Sequence, residues 1–171
     1  MEGTKIPALE PELGWTALDP LAGPPPTRSF VSGKQSWERL AVRYFVRDDD
    51  RALVGKVWFG PWAEGPPGYV HGGAIAAVLD EAMGAAAWMH GHTAVAVQLT
   101  TEFRAFTSIE SIAYIEASIA EVEARKVRTR AALLDAAGNR YAEAAALFIT
   151  LDVSRFGEDI LAFVRALPRP R

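Results

Sequence analysis

Two features of this sequence carry the residue types that chemistry at a carbonyl group needs. One is His71-Gly72-Gly73, at the head of a predicted helix over 72–90, and the other is Asp80, a carboxylate within that helix's apolar run. The leading N–H groups of a helix lack intrahelical partners and lie at the positive end of its dipole. They can hold a carbonyl oxygen as it gains negative charge, and one such donor contributes about 3 kcal/mol in a transition state. Glycine at 72 and 73 lets that oxygen approach the backbone closely. Asp80 can act as general base on water, worth about 10²–10⁴-fold in rate, or attack a carbonyl directly. Gly73 and Asp80 are seven residues apart. They therefore share nearly one helix face, yet stand ~10 Å apart along the axis. One carbonyl carbon cannot lie within ~3 Å of both. Two antiparallel copies of the helix, related by a two-fold axis, remove the conflict, so the chemistry predicts at least a dimer with shared sites.

Plainer readings stand beside these. His-Gly-Gly can serve only as a tight strand-to-helix entry. Asp80 can be half of a structural ion pair. Glu81 points about 100° away around the helix and is expected to pair with an Arg or face solvent. His90-Gly91-His92 is read as a solvated helix end, with no further ligand nearby in sequence to make a metal site. Arg125, Lys126, Arg128 and Arg130 are expected on the outer face of a strand.

The elements that position these residues follow from pattern. Residues 40–47 alternate, Asp48-Asp49-Asp50 turn, and 52–59 return as a hairpin. Residues 60–68 are punctuated by Gly and Pro and read as a loop. The helix over 72–90 is apolar almost all round, and such a helix is normally buried on every side. Extended runs follow at 93–105, 111–122, 126–135 and 140–151, with a hairpin turn at 135–139 where Gly138 can take positive φ. A terminal helix is expected over 156–166. Two strands, one buried helix and four strands suit an α+β domain: a long antiparallel sheet wrapped around a central helix.

With 171 residues, half of them hydrophobic, the chain suits one domain. We divide it into a Pro-rich irregular arm over 1–35, pinned by Trp15, Leu18 and Leu21, and a domain over 36–171. A net charge of −3 gives no general attraction to nucleic acid. The absence of cysteine excludes thiolate nucleophiles and thiolate metal sites. Asp80 and Glu81 interrupt the longest apolar run, which argues against a membrane span. The start lacks the pattern of a signal peptide, and the expectation is a cytoplasmic protein.

The segment GYVHGGAIAAVLDEAMG resembles the His-Gly-Gly segment of hotdog-fold acyl-CoA thioesterases, of the phenylacetate-pathway and "thioesterase superfamily member" types. The likeness runs over roughly 40–152. It takes in the EGPPG loop, Gln98 to Phe103, Ala124 to Val127, Asp135 to Gly138 and Ala142 to Ile149. It implies a hotdog fold, hydrolysis of acyl-CoA without a cofactor, and assembly as a dimer or dimer of dimers. It implies Asp80 as the catalytic carboxylate, Gly73 as the N–H donor to the thioester carbonyl, and His71 as the residue shaping or polarising that corner. Substrate contacts are implied at Gly72, Gln98, Thr100, Phe103, Arg125 and Lys126, the basic pair toward the coenzyme A phosphates. The chain departs from the family in two places. Phe103-Arg104-Ala105-Phe106 stands where the family runs aromatic, basic, Arg, Pro, and Ala96 stands where a Thr or Ser is usual. Thr100, read as lying on the same strand face as Ala96, is expected to replace that hydroxyl.

Two other functions fit a hotdog chain. A dehydratase or hydratase of acyl thioesters would depend on His71 more than on Asp80. A non-catalytic acyl-CoA sensor would bind without releasing thiol.

Overall fold

The computed structural model describes residues 7–18, 29–152 and 154. The helix expected over 156–166 lies outside the described residues. Described elements are β1 (Trp15–Ala17), β2 (Leu40–Arg47), β3 (Leu53–Phe59), a short 3-10 turn (Pro61–Ala63), α1 (Gly72–Met89), β4 (Ala94–Phe103), β5 (Ser111–Glu123), β6 (Lys126–Leu134) and β7 (Arg140–Thr150). The strands form one antiparallel sheet in the order β1-β2-β3-β5-β6-β7-β4. Helix α1 packs against β5, β6, β4 and β7 on one face of that sheet. This is the hotdog fold expected from the element order.

Ile75, Val78, Leu79, Ala82, Met83, Ala86 and Ala87 of α1 are buried against the alternate residues of the sheet that face it: Ile115 of β5, Val127 and Leu133 of β6, Phe148 of β7. The other helix face is less well covered. Gly73 is exposed, and Ala76, Ala77 and Asp80 are only half-buried. The expected all-round burial is thus met on one side only within a single chain.

Strand β3 is buried along its whole length instead of alternating. Its outer face is roofed by the N-terminal arm. Leu9 packs with Ala41 and Trp58, and Glu12 pairs with Lys56 at 2.5 Å, while the Lys56 ammonium lies 5.3 Å from the Tyr114 ring centroid. Trp15 packs on Phe45 at 5.6 Å between centroids, and β1 extends the sheet beyond β2. Val31 also enters the main core. The hairpin over 135–139 forms as expected. Asp135 accepts from the N–H groups of Ala137 and Asn139, and Gly138 adopts φ +85°.

Candidate active site

His71 is the N-cap of α1. Its backbone is extended, and its ring Nδ1 accepts a hydrogen bond from the Gly73 N–H at 2.9 Å. Accepting at Nδ1 puts the neutral ring's proton on Nε2. The N–H groups of Ala74 and Ile75 both reach the His71 carbonyl, at 2.9 and 3.3 Å. Three of the four leading donors are therefore engaged. The Gly72 N–H has no partner among the described residues. Gly73, expected to be the carbonyl donor, is occupied by the neighbouring imidazole, and the free donor stands one residue earlier.

Both glycines lie close against a side chain. A Cβ on Gly73 would lie 2.9 Å from His71 Nδ1, and a Cβ on Gly72 would lie 3.1 Å from the tip of the Phe103 ring. Phe103 is thus brought to the helix N-terminus and is more than half exposed.

Asp80 accepts no hydrogen bond and forms no ion pair among the described residues, so the structural ion-pair reading finds no support. Partial burial raises its pKa above the ordinary aspartate value by desolvation. Asp80 and the free Gly72 N–H sit eight residues apart on one continuous helix, which separates them by ~12 Å.

Glu81 departs from expectation. It pairs with no Arg, and its carboxylate accepts from Ser29 Oγ at 2.7 Å, the Ser32 N–H at 3.4 Å and the Tyr44 hydroxyl at 3.2 Å. Burial first, and then the negative charge of Glu81, hold the Tyr44 phenol well above its usual pKa. Glu81 ties the 29–32 turn onto the helix and is not available as a base. Glu81→Ala is expected to destabilise the protein by roughly 1–3 kcal/mol, because it strands a buried phenol and a serine hydroxyl. Urea unfolding measures this, and a midpoint equal to wild type would refute the anchoring role. Glu81→Gln should lower kcat far less than Asp80→Asn.

Gln98 and Thr100 do not reach the site. The register of β4 against β7 slips between Ala96 and Gln98, so that Val97 is an extra residue. A one-residue slip exchanges the two faces of a strand. Ala96 is paired with Phe148 on the helix side, but Gln98 and Thr100 are paired with Leu147 and Ala145 on the outer side. There they line a shallow depression of about 480 Å³ with Arg128 and Arg130. The β4 hydroxyl on the helix side is Thr101, whose Oγ1 is buried and lacks a hydrogen-bond partner among the described residues.

Arg125 and Lys126 lie near the opposite end of the sheet. The Arg125 guanidinium donates to the Thr150 carbonyl at 3.0 Å, and Thr150 pairs with Ala94 beside the C-terminal end of α1, where Trp88 Nε1 donates to the Ala94 carbonyl. Within one chain neither residue is near Gly72. His90 closes the helix, with its Nδ1 2.8 Å from the Ala86 carbonyl.

The sequence and the fold have known counterparts. Residues 67–142 match the family model described as the thioesterase superfamily. The chain is 32% identical over 108 residues to acyl-coenzyme A thioesterase THEM4 of Xenopus laevis, an alignment spanning 63% of this chain and 49% of that protein. A solved thioesterase superfamily protein superposes with a TM-score of 0.61 at 28% identity, over 64% of this chain and 53% of the other. The smu.793 protein of Streptococcus mutans, solved bound to acetyl CoA, shares the fold with a TM-score of 0.59 at 13% identity, over 72% of this chain and 97% of the other. The fold is therefore the hotdog fold, and residues 67–142 are similar to the thioesterase superfamily. The chain spans about half the length of the curated THEM4 relative it matches.

Proposed function

We propose that this protein hydrolyses acyl-CoA to the free acid and coenzyme A, in sites shared between two subunits. The observation that carries the reading is the pairing of one unoccupied helix-N-terminal N–H, on Gly72, with an unpartnered and desolvated carboxylate, on Asp80, too far along the same helix to act with it. The Gly72 N–H of one subunit holds the thioester carbonyl oxygen. Asp80 of the partner subunit acts on the carbonyl carbon from the other side, through water or directly. A C–O bond forms, the C–S bond breaks, and the thiolate leaves to be protonated as the coenzyme's thiol. The His71 ring Nδ1 is committed to the cap, which disfavours the dehydratase reading, where His71 would be the main acid–base group. The activity named for the THEM4 relative, and acetyl CoA in the Streptococcus mutans protein, agree with an acyl-CoA substrate.

The sheet's edges support the partnership. Strand β4 is a ten-residue edge with Val95, Val97 and Leu99 at 43%, 58% and 39% exposure. A long apolar edge is a template for pairing with another chain, whereas the opposite described edge, β1, has three residues. Antiparallel pairing of two β4 strands would set the two helices side by side in opposite directions. It would also carry Arg125 and Lys126 of the partner subunit toward the Gly72 end. Val97→Lys is expected to yield monomers in sedimentation and to remove activity. A monomeric variant with full turnover would refute the shared site.

The direct test is thiol release over a panel of acyl-CoAs. At least one thioester should be hydrolysed at a rate that depends on Asp80. Binding without thiol release would favour a sensor, and hydration of an enoyl thioester without thiol release would favour a hydratase.

A further inference from the structure

Three exposed aromatic rings frame the N-terminus of α1. Phe103, 55% exposed, lies over Gly72; Tyr69 and Phe106, 39% and 70% exposed, lie beyond it with ring centroids 4.7 Å apart and planes tilted by 36°. Two loops hold this ring pair. The Val70 N–H donates to the Thr107 carbonyl at 2.8 Å, the Ile109 N–H donates to the Gly68 carbonyl at 3.1 Å, and Tyr69 bridges to Ser108. The rings are thus mounted on backbone that is itself hydrogen-bonded, and both outer residues remain exposed beside one another.

We propose that the Tyr69–Phe106 pair is the platform on which the adenine of the coenzyme A portion stacks. This rests on the acyl-CoA reading of the neighbouring site. Tyr69 is three residues from Gly72, so its Cα lies at most about 10 Å from that of the donor residue, and Phe106 adds the breadth of a further ring. The pantetheine arm, diphosphate and ribose that separate a thioester from the adenine more than cover such a span when folded. The character of the shelf selects the occupant. An acyl chain laid on it would keep much of its surface in water. The polar amides of pantetheine gain little from two ring faces. Adenine has an apolar face for the rings and a polar edge that prefers solvent, and base–aromatic stacking does not require burial of the whole group.

The test compares two substrates carrying the acyl group that the thiol-release panel selects: its coenzyme A thioester and its pantetheine thioester, which lacks the nucleotide. The wild-type protein should show a lower KM for the coenzyme A thioester. Phe106→Ala should raise that KM about tenfold and so collapse the difference between the two substrates. Phe106→Trp should preserve the difference, and Phe106→Leu, which keeps apolar bulk without a π face, should not. Phe106 is mostly exposed, so these variants are expected to fold, and their melting curves check it. A difference that survives in Phe106→Ala overturns the platform. So does an equal loss on both substrates, or a loss accompanied by dissociation into monomers, which would make the shelf a subunit contact. Wild-type protein that hydrolyses neither thioester would instead overturn the acyl-CoA reading on which the proposal stands.

Discussion

Asp80→Asn is expected to lower kcat by about 10²–10⁴-fold, the usual contribution of a positioned acid–base group, with little change in KM. The same substitution should raise the melting temperature at neutral pH. The two effects have one origin. Asp80 is half-buried without a hydrogen-bond or ion-pair partner among the described residues, and desolvation raises its pKa. A carboxyl whose folded-state pKa is raised weakens the fold wherever it is ionised, because the unfolded chain solvates the charge better. That cost is present above the folded pKa. It fades as pH falls through that value toward the ordinary aspartate value of 3.8, below which both states hold the proton. The stability advantage of Asn should therefore be largest near pH 7 and vanish in acid. Wild-type kcat/KM should fall in the same acid range, with its inflection above 3.8. Melting curves and pH–rate profiles of the two proteins read both quantities. An Asn variant with unchanged kcat, or one less stable than wild type at neutral pH, would sink the assignment of a strained functional carboxylate.

The parts of this site that were legible in the sequence depend on local pattern. The Ala-, Leu- and Met-rich run over 72–90 forms a helix at 72–89, and Gly138 in DAAGN turns the last hairpin. These features need only neighbouring residues to be understood. The errors arise where a distant or geometric fact decides. Counting by twos from Ala96 puts Thr100 on the site face, but the extra residue at Val97 reverses the faces, and nothing in Ala96-Val97-Gln98 announces a bulge. Glu81 looks like a surface carboxylate on the helix wheel, whereas its partners Ser29 and Tyr44 lie 52 and 37 positions away in the chain. The short β1 was hidden in a Pro-rich arm, and Trp15 was its only signal, as an anchoring residue. Which of the Gly72 and Gly73 N–H groups is left free turns on one rotamer, that of His71, whose ring accepts from the second glycine.

That choice reshapes the most demanding test of the shared site, in which two inactive proteins restore one another. One carries Asp80→Asn and lacks the carboxylate. The other carries Gly72→Pro and lacks the free N–H. Proline is favoured at the first position of a helix, and the preceding residue, His71, already has the extended backbone that proline requires before it. The clash to be relieved is with the Phe103 ring tip, which is exposed and can move. Each homodimer should be nearly inactive. After subunit exchange, half of the sites in a heterodimer combine both defects. The other half pair an intact Asp80 from the Gly72→Pro chain with an intact Gly72 from the Asp80→Asn chain. A heterodimer should then recover roughly half the activity of a wild-type dimer if its sites are independent. Gly73→Pro in place of Gly72→Pro is informative about the donor. It removes an N–H already given to His71 and should impair activity less. If both residues of a site came from one chain, every site in the mixture would be defective. Mixing would then restore nothing even when exchange is verified by mass spectrometry.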